Sequence, residues 1–207
     1  MQHELLFYRG LLFGFSIAAP IGPIGILCIR RTLNEGKISG LISGLGAATA
    51  DGVYGCIAGF GLTLIADFLV NQKIIFGLIG SLFICYLGIK TFTEKPTAQK
   101  TVNPEANLIN AYLSTFLLTL TNPITILAFT AIFAGLGLAQ TGGNYGTAAL
   151  LVLGVFLGSM LWWGLLVTVV GLWGERFQGK YSQWVNRIAG TIMVALGLVA
   201  LFNSLPF

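Results

Sequence analysis

The chain has 207 residues, of which 56% are hydrophobic and 9% are charged, and its mean hydropathy is +0.86. Ordinary globular proteins contain about 25% charged residues, so this chain has too few charges to cover a soluble surface. Its net charge of +4 does not indicate a nucleic-acid partner, because the basic residues fall in short connections rather than on one face. The composition predicts an integral membrane protein surrounded by lipid.

Apolar stretches long enough to cross a bilayer recur along the whole chain. A helix rises about 1.5 Å per residue, so about 20 apolar residues cross a hydrocarbon core of roughly 30 Å. The breaks between apolar windows predict six transmembrane helices, at residues 5–29, 38–69, 74–92, 109–138, 146–171 and 186–205. The predicted fold is an all-α integral membrane protein without a cofactor.

The first predicted helix is interrupted by Pro20 and Pro23, which are separated by Ile21 and Gly22. Proline removes a backbone donor and clashes with the preceding turn, at a cost of roughly 3 kcal/mol inside a helix. Lipid offers no hydrogen bonds, so such a break is tolerated only where protein or a water-filled cavity satisfies the freed backbone groups. We therefore expect this helix to break at a binding site. The fourth predicted helix contains Pro123 at a matching position.

Basic residues indicate how the predicted helices cross the membrane. The chain has eleven, and nine lie in alternate connections: Arg30, Arg31, Lys37, Lys90, Lys95, Lys100, Arg176, Lys180 and Arg187. By the positive-inside rule these connections are cytoplasmic. Both termini are then expected on the outer side of the membrane.

A polar linker at residues 93–108 divides the chain into two predicted three-helix units, residues 1–92 and 109–207. An odd number of helices in each unit would place the two in opposite orientations. The positions of the prolines support such an inverted repeat, as does the spacing of Gly40 and Gly44 against Gly154 and Gly158. Paired broken helices in inverted halves are typical of transporters with a site at the bilayer midplane.

Asp51 is the only acid deep within a predicted helix. A carboxylate at the bilayer centre costs at least about 2.5–3.5 kcal/mol, so it should face the interior of the bundle or a wet cavity. It is a candidate proton acceptor or counter-charge for a substrate ammonium; the alternative is a structural anchor bonded to hydroxyls such as that of Thr49. Tyr54 lies one turn away, and Trp163 takes a comparable place in the fifth helix. Each of these aromatic residues either lines the pocket or packs helices.

Asn122 precedes Pro123 in the fourth predicted helix. Its amide either binds substrate or bridges to the broken first helix, or it caps the helix that begins at Pro123. Half-helices that begin at Pro23 and Pro123 would point their positive dipole ends at the midplane, which suits a carboxylate. With Asp51 opposite, the cavity would fit a zwitterion.

Taken together, these residues resemble the LysE/RhtB family of amino-acid exporters. The resemblance covers essentially the whole chain, although the family commonly has Pro-Gly-Pro where this chain has Pro20-Ile21-Gly22-Pro23. It implies a non-enzymatic secondary transporter that exports amino acids across a bacterial inner membrane, driven by a proton or cation gradient. It also gives functional weight to Pro20, Gly22, Pro23, Asp51, Asn122 and Pro123.

Other functions known in the wider superfamily fit these residues less well. A divalent-metal exporter needs several ligands at mid-membrane, where only Asp51 is expected. A thiol carrier needs a cysteine pair at the prolines, and Cys28, Cys56 and Cys85 do not form one. A scaffold protein would leave the buried acid and the paired breaks unexplained.

The expected partners are an amino-acid substrate, protons and the lipid bilayer. A second carboxylate for a cationic side chain is missing, which favours small neutral amino acids. Small-xxx-small pairs such as Gly10 and Gly14 indicate mainly close packing of helices within the chain. A homodimer is the secondary interpretation.

Overall fold

A computed structural model describes residues 2–20, 22–59, 68, 71–93, 104–122, 124–129, 145–177 and 182–204. Its helices are α1 (Gln2–Ala18), α2 (Pro23–Glu35), α3 (Lys37–Gly59), α4 (Lys73–Thr93), α5 (Pro104–Leu120), α6 (Tyr145–Phe177) and α7 (Ser182–Ser204). Residues 124–129 form a further short helical segment. No strand occurs in these ranges, which confirms the predicted all-helical class.

Three of the helices are long and apolar enough to cross a membrane, over Ile74–Thr93, Ala148–Leu172 and Gln183–Ser204. The pair Leu5–Ala18 and Pro23–Glu35 qualifies as a fourth span if it is counted as one bent helix. The predicted second and fourth spans run into residues 60–67 and 130–138, and the predicted linker contains residues 94–103, all outside the described residues. The count of six spans therefore stays a prediction.

The first span bends where its two prolines predict a break. Helix α1 ends at Ala18, α2 begins at Pro23, and the two axes differ by 80°. Proline is well suited to the first position of a helix, because the N–H that it lacks has no intrahelical partner there. Pro20 thus follows the end of α1, and Pro23 starts α2.

Helix α2 extends further than the sequence analysis expects. It continues to Glu35 and is closed by Gly36, whose φ of 97° is accessible mainly to glycine. Arg30 and Arg31 were predicted in a connection, and that prediction is wrong: they lie inside α2 and are buried. No proline stands between Pro23 and Gly36, and the two charges by themselves did not end the helix.

Glycines bring α1 and α6 into backbone contact. Gly10 packs against Gly154, and a Cβ added at Gly158 would collide with the carbonyl oxygen of Leu11. Further along, the rings of Phe15 and Trp162 meet edge to face, with centroids 5.4 Å apart. Because contacts advance along both helices together, α1 and α6 run parallel. The predicted small-xxx-small pairs are thus used within the chain.

Helices α3 and α5 also run parallel. The Thr115 hydroxyl donates to the carbonyl oxygen of Ser43 at 2.7 Å, and further along both helices Tyr54 contacts Leu120. Gly46 allows this approach, since a Cβ there would collide with the Tyr112 carbonyl oxygen. The pair packs together over most of the length of α5.

Two further helix pairs run antiparallel. Along α3 and α6, Gly44 packs against Trp163, and Gly55, later in α3, packs against Val152, earlier in α6. Helices α4 and α7 are also antiparallel, because residues later in α7 contact residues earlier in α4. Those contacts join Gly190 to Phe92 and Gly197 to Cys85.

Candidate functional site

Asp51 lies in the middle of α3 and faces α6. Its residue surface is only 3% exposed, and the hydroxyl of Ser159 donates to its Oδ2 atom at 2.7 Å. Ser159 is itself fully buried. The hydroxyl of Thr49, which the sequence analysis considered as an anchor, instead donates to the Leu45 carbonyl in its own helix. The acid is therefore held across a helix interface.

Trp163 completes a chain of hydrogen bonds to this acid. Its Nε1–H donates to the Oγ atom of Ser159 at 3.1 Å. Indole can only donate, and an ionised carboxylate can only accept, so the single proton of the Ser159 hydroxyl points at Asp51. The three side chains thus form a directional chain, which favours an acceptor at Asp51.

Two apolar clusters enclose Asp51 along α3. Towards the start of α3, the first cluster contains Ala47, Ala48 and Trp163. Towards the end of α3, the second cluster contains Tyr54 together with Phe129. Asp51 is therefore occluded, with packed side chains on both sides of it along the bundle.

Tyr54 pairs with the backbone where the fourth span breaks. Its hydroxyl donates to the carbonyl oxygen of Leu120 at 2.6 Å, and its ring stacks on Phe129 with centroids 5.2 Å apart. In an unbroken helix this carbonyl would accept from the N–H of Ile124. That N–H donates instead to Asn122. Tyr54 therefore satisfies a carbonyl that the break leaves without its helical partner.

Asn122 has the geometry of a helix cap. Its Oδ1 atom accepts from the N–H of Ile124 at 3.2 Å, and its carbonyl accepts from the N–H of Ile126 at 3.1 Å. These bonds match the capping alternative of the sequence analysis, whereas a contact with substrate stays a prediction. Pro123 lies outside the described residues.

The first break lacks the side-chain cap that the second break has. Pro20 is exposed, and Gly22 adopts an extended backbone before Pro23 at the first position of α2. No side chain caps α2, and among the described residues nothing lies within 4 Å of a Cβ built on Gly22. The first turn of α2 therefore begins without a side-chain cap.

Replacing Tyr54 with phenylalanine should destabilise the protein by roughly 1–3 kcal/mol, because it leaves the partly buried Leu120 carbonyl without this donor. Thermal unfolding in detergent would measure the loss. Tyr86→Phe is the matched control, since Tyr86 is 58% exposed on α4. Equal melting temperatures for the two variants would contradict this account of the break.

Ser159 is a residue of the site that the sequence alone does not single out. Its one available signal was a hydroxyl in an apolar stretch, four residues before Trp163 and therefore on the same helix face. The pairing with Asp51 spans 108 residues of sequence, and no local pattern encodes such a contact. Among the described residues, no group of three histidine, cysteine, aspartate or glutamate side chains could hold a metal ion.

A bundle of apolar helices, in which one span bends at prolines and a buried acid lies at a helix interface, defines a polytopic membrane protein of the transporter class. The family model described as LysE type translocator matches residues 15–204. The chain therefore belongs to the LysE type translocator family, as its sequence resemblance predicts.

Similar proteins come from several organisms. The Bacillus subtilis protein named "Putative amino acid efflux protein YcgF" is 28% identical over 198 residues, covering 93% of each chain. "Uncharacterized membrane protein slr1627" of Synechocystis is 25% identical and covers 93% of this chain and 95% of its own. "Putative protein TIC 214 N-terminal part" of Anthoceros angustus is 32% identical over 56% of this chain, which is 11% of its own length. No solved structure matches the chain significantly.

Proposed function

We propose that this protein exports small neutral amino acids from the cytoplasm in exchange for protons. The observation that carries the proposal is the occluded carboxylate of Asp51, held by Ser159 across the interface of α3 and α6. An intramembrane acid is costly and is usually retained for ion or substrate binding. The family, together with the efflux name of the Bacillus relative, supports amino-acid export.

We further propose that the two halves are inverted repeats. A twofold axis in the membrane plane would exchange the first span with the fourth, the second with the fifth and the third with the sixth. The axis would map the parallel pair α1–α6 onto the parallel pair α3–α5, and the structure contains both pairs. It would map the pairs α3–α6 and α4–α7 onto themselves, which requires each pair to be antiparallel. Both pairs are antiparallel. These directions support the repeat that the prolines predict.

A zwitterionic substrate would use two different parts of the site. The ammonium would pair with Asp51, and the carboxylate would bind the uncapped first turn of α2, whose dipole favours an anion. Ile24, in the first turn of α2, belongs to the same apolar cluster as Ala48, which lies three residues before Asp51. The helical segment 124–129 is less suited to the carboxylate, since Asn122 already accepts from its first N–H.

The proposed cycle is alternating access across a bacterial inner membrane, with both termini outside. From the cytoplasm the ammonium displaces the proton of Asp51, and reprotonation from outside helps to release the substrate. Proton and ammonium then compete for one carboxylate, so apparent affinity on the cytoplasmic side should fall as pH falls. Binding assays across a pH series would show this, and an affinity that does not change with pH would reject the competition.

Replacing Ser159 with alanine should slow transport by about ten- to hundredfold, the equivalent of losing one hydrogen bond to a charged group. Asp51 would keep its charge but lose the bond that positions it. Initial rates in proteoliposomes would measure the change. Thr168→Val is the control, because that exposed hydroxyl on α6 bonds only within its own helix, to Gly164. Similar transport rates for the two variants would show that Ser159 has no role in the site.

Transport into inside-out vesicles tests the proposed function directly. A panel of labelled amino acids would be offered under an imposed pH gradient, and accumulation of one or a few small neutral ones that depends on the gradient is expected. Empty vesicles and vesicles with collapsed gradients are the controls. If no amino acid accumulates and a divalent cation does, the protein exports metal and the proposal fails.

A further inference from the structure

The C-terminal part of α2 carries a second polar cluster, away from Asp51. Arg30 and Arg31 are each only 7% exposed there, although both are charged. Their hydrogen bonds reach helices α3, α5 and α7. We call this group the arginine cluster and define it as Arg30, Arg31, Asn34, Ser43, Ala111, Ser114 and Asn186.

Arg31 joins α2 to two other helices. One guanidinium nitrogen, Nη1, donates to the Ser43 hydroxyl of α3 at 2.9 Å and to the Ala111 carbonyl of α5 at 3.0 Å. The other, Nη2, donates to the Ser114 hydroxyl of α5 at 2.7 Å. The fixed fork of the guanidinium suits this arrangement, because it presents several donors in one plane.

Arg30 and Asn34 join α2 to α7. The Nε–H of Arg30 donates to Oδ1 of Asn186 at 3.0 Å, and the amide of Asn34 donates to the same atom at 2.6 Å. Arg30 also pairs with Glu35 at 3.4 Å, and Glu35 accepts from the hydroxyl of Ser39 on α3. Helix α2 is thus tied at its far end to elements of both halves.

The arginine cluster lies beyond one of the apolar layers that enclose Asp51. Ser43 precedes Asp51 by eight residues in α3, which is about 12 Å along the helix. Between these two levels the bundle is filled by Leu27, Ala47 and Trp163. A solute moving between Asp51 and this end of the bundle would therefore have to displace α2.

We propose that the arginine cluster is a gate: it closes its end of the bundle in the conformation described, and α2 must leave α5 and α7 for a solute to pass. Helix α2 is suited to move, because the break at Pro20 and Pro23 separates it from α1. Directional bonds to hydroxyl, amide and carbonyl oxygens specify one closed position, and water can replace each acceptor when α2 swings out. The gate depends neither on which solute moves nor on the role of Asp51.

Cys28 is a native reporter of this gate. It is buried on α2, one turn before Arg31 and Thr32, and its thiol donates to the Gly40 carbonyl. A variant that retains Cys28 as its only cysteine would be labelled with a membrane-impermeant thiol reagent in inside-out and right-side-out vesicles. A second variant retaining only Cys85, which packs between α4 and α7, reports on the rest of the bundle.

Arg31→Gln should raise the labelling rate of Cys28 about tenfold, from one side of the membrane only, because it weakens a charged hydrogen-bonded contact. The rate at Cys85 should not change. Arg187→Gln is the matched control, since Arg187 is exposed on α7, and it should leave both rates unchanged. An unchanged rate at Cys28, or equal rises at both cysteines, would overturn the gate; the latter would show a general loosening.

A cross-link tests the gate even if Arg31→Gln does not fold. The side chains of Asn34 and Asn186 are in direct contact, at 2.6 Å, so N34C and N186C combined in a cysteine-free background can be joined by a short bifunctional thiol reagent. Joining them should stop transport of whichever solute the unmodified protein moves, and reduction should restore it. In each single-cysteine variant the reagent should not change the transport rate measured before its addition. Undiminished transport by the cross-linked protein would overturn the gate.

Discussion

Replacing Asp51 with asparagine is expected to abolish gradient-driven transport while the protein stays folded. Asparagine has nearly the same shape, and its carbonyl oxygen can still accept from Ser159, as Oδ2 of Asp51 does at 2.7 Å. The amide cannot take up a proton or balance an ammonium, so the proposed exchange has no carrier. The expected loss is at least about a hundredfold in initial rate, since a buried opposite charge is removed from the substrate.

The measurement is uptake into proteoliposomes, with and without a pH gradient. Thermal unfolding in detergent would show that Asp51→Asn remains folded. Glu94→Gln, which removes an acid from the predicted polar linker, is the control for a general effect of net charge. Asp51 would be only a structural anchor if the folded asparagine variant still accumulated substrate against a gradient.

The sequence located Asp51 because an isolated acid in an apolar helix is a strong local signal. It did not reveal the hydrogen bond from Ser159, because that contact depends on how α3 and α6 are aligned. Gly44, two turns before Asp51, lets the two helices approach, because a Cβ there would collide with Trp163. Which residues then meet depends on tertiary packing, and hydropathy alone does not determine it.

The helix break at Asn122 was also predictable from a local signal, the proline that follows it. The hydrogen bond that satisfies the freed carbonyl was not predictable. Proline chemistry predicts that a helix cannot continue through Pro123. The partner of the freed carbonyl comes from another helix, where Tyr54 donates to Leu120. Tyr54 was predicted either to line the pocket or to pack helices, and neither of these predictions included a bond to a broken backbone.

The two arginines of α2 show where a charge rule fails. Two adjacent arginines after an apolar run usually mark the end of a transmembrane helix. Here the helix continues to Glu35, and Arg31 is buried by donating to Ser43 and Ser114. Short polar residues in two other helices, α3 and α5, provide these acceptors, and they become visible as a group only when the helices are packed together.

The contact of α1 with α6 gives the largest expected effect on stability. A Cβ added at Gly158 would collide with the carbonyl oxygen of Leu11, and one added at Gly154 would collide with that of Phe7. The obstacle is backbone, which cannot rotate away as a side chain can, so the helices would have to separate. Membrane helices associate largely through such close packing. The cost of Gly158→Ala should therefore reach roughly 3 kcal/mol or more, at the upper end for overpacked cores.

Gly164→Ala is the matched control, because it makes the same substitution six residues further along α6. Among the described residues nothing lies within 4 Å of a Cβ at Gly164. Alanine favours a helix over glycine by about 1 kcal/mol, so this variant should be as stable as the wild type or more stable. Thermal unfolding and size-exclusion chromatography in detergent would compare the two. If Gly158→Ala and Gly164→Ala had the same melting temperature, α1 and α6 would not be in backbone contact. The parallel pair α1–α6 would then no longer support the inverted repeat.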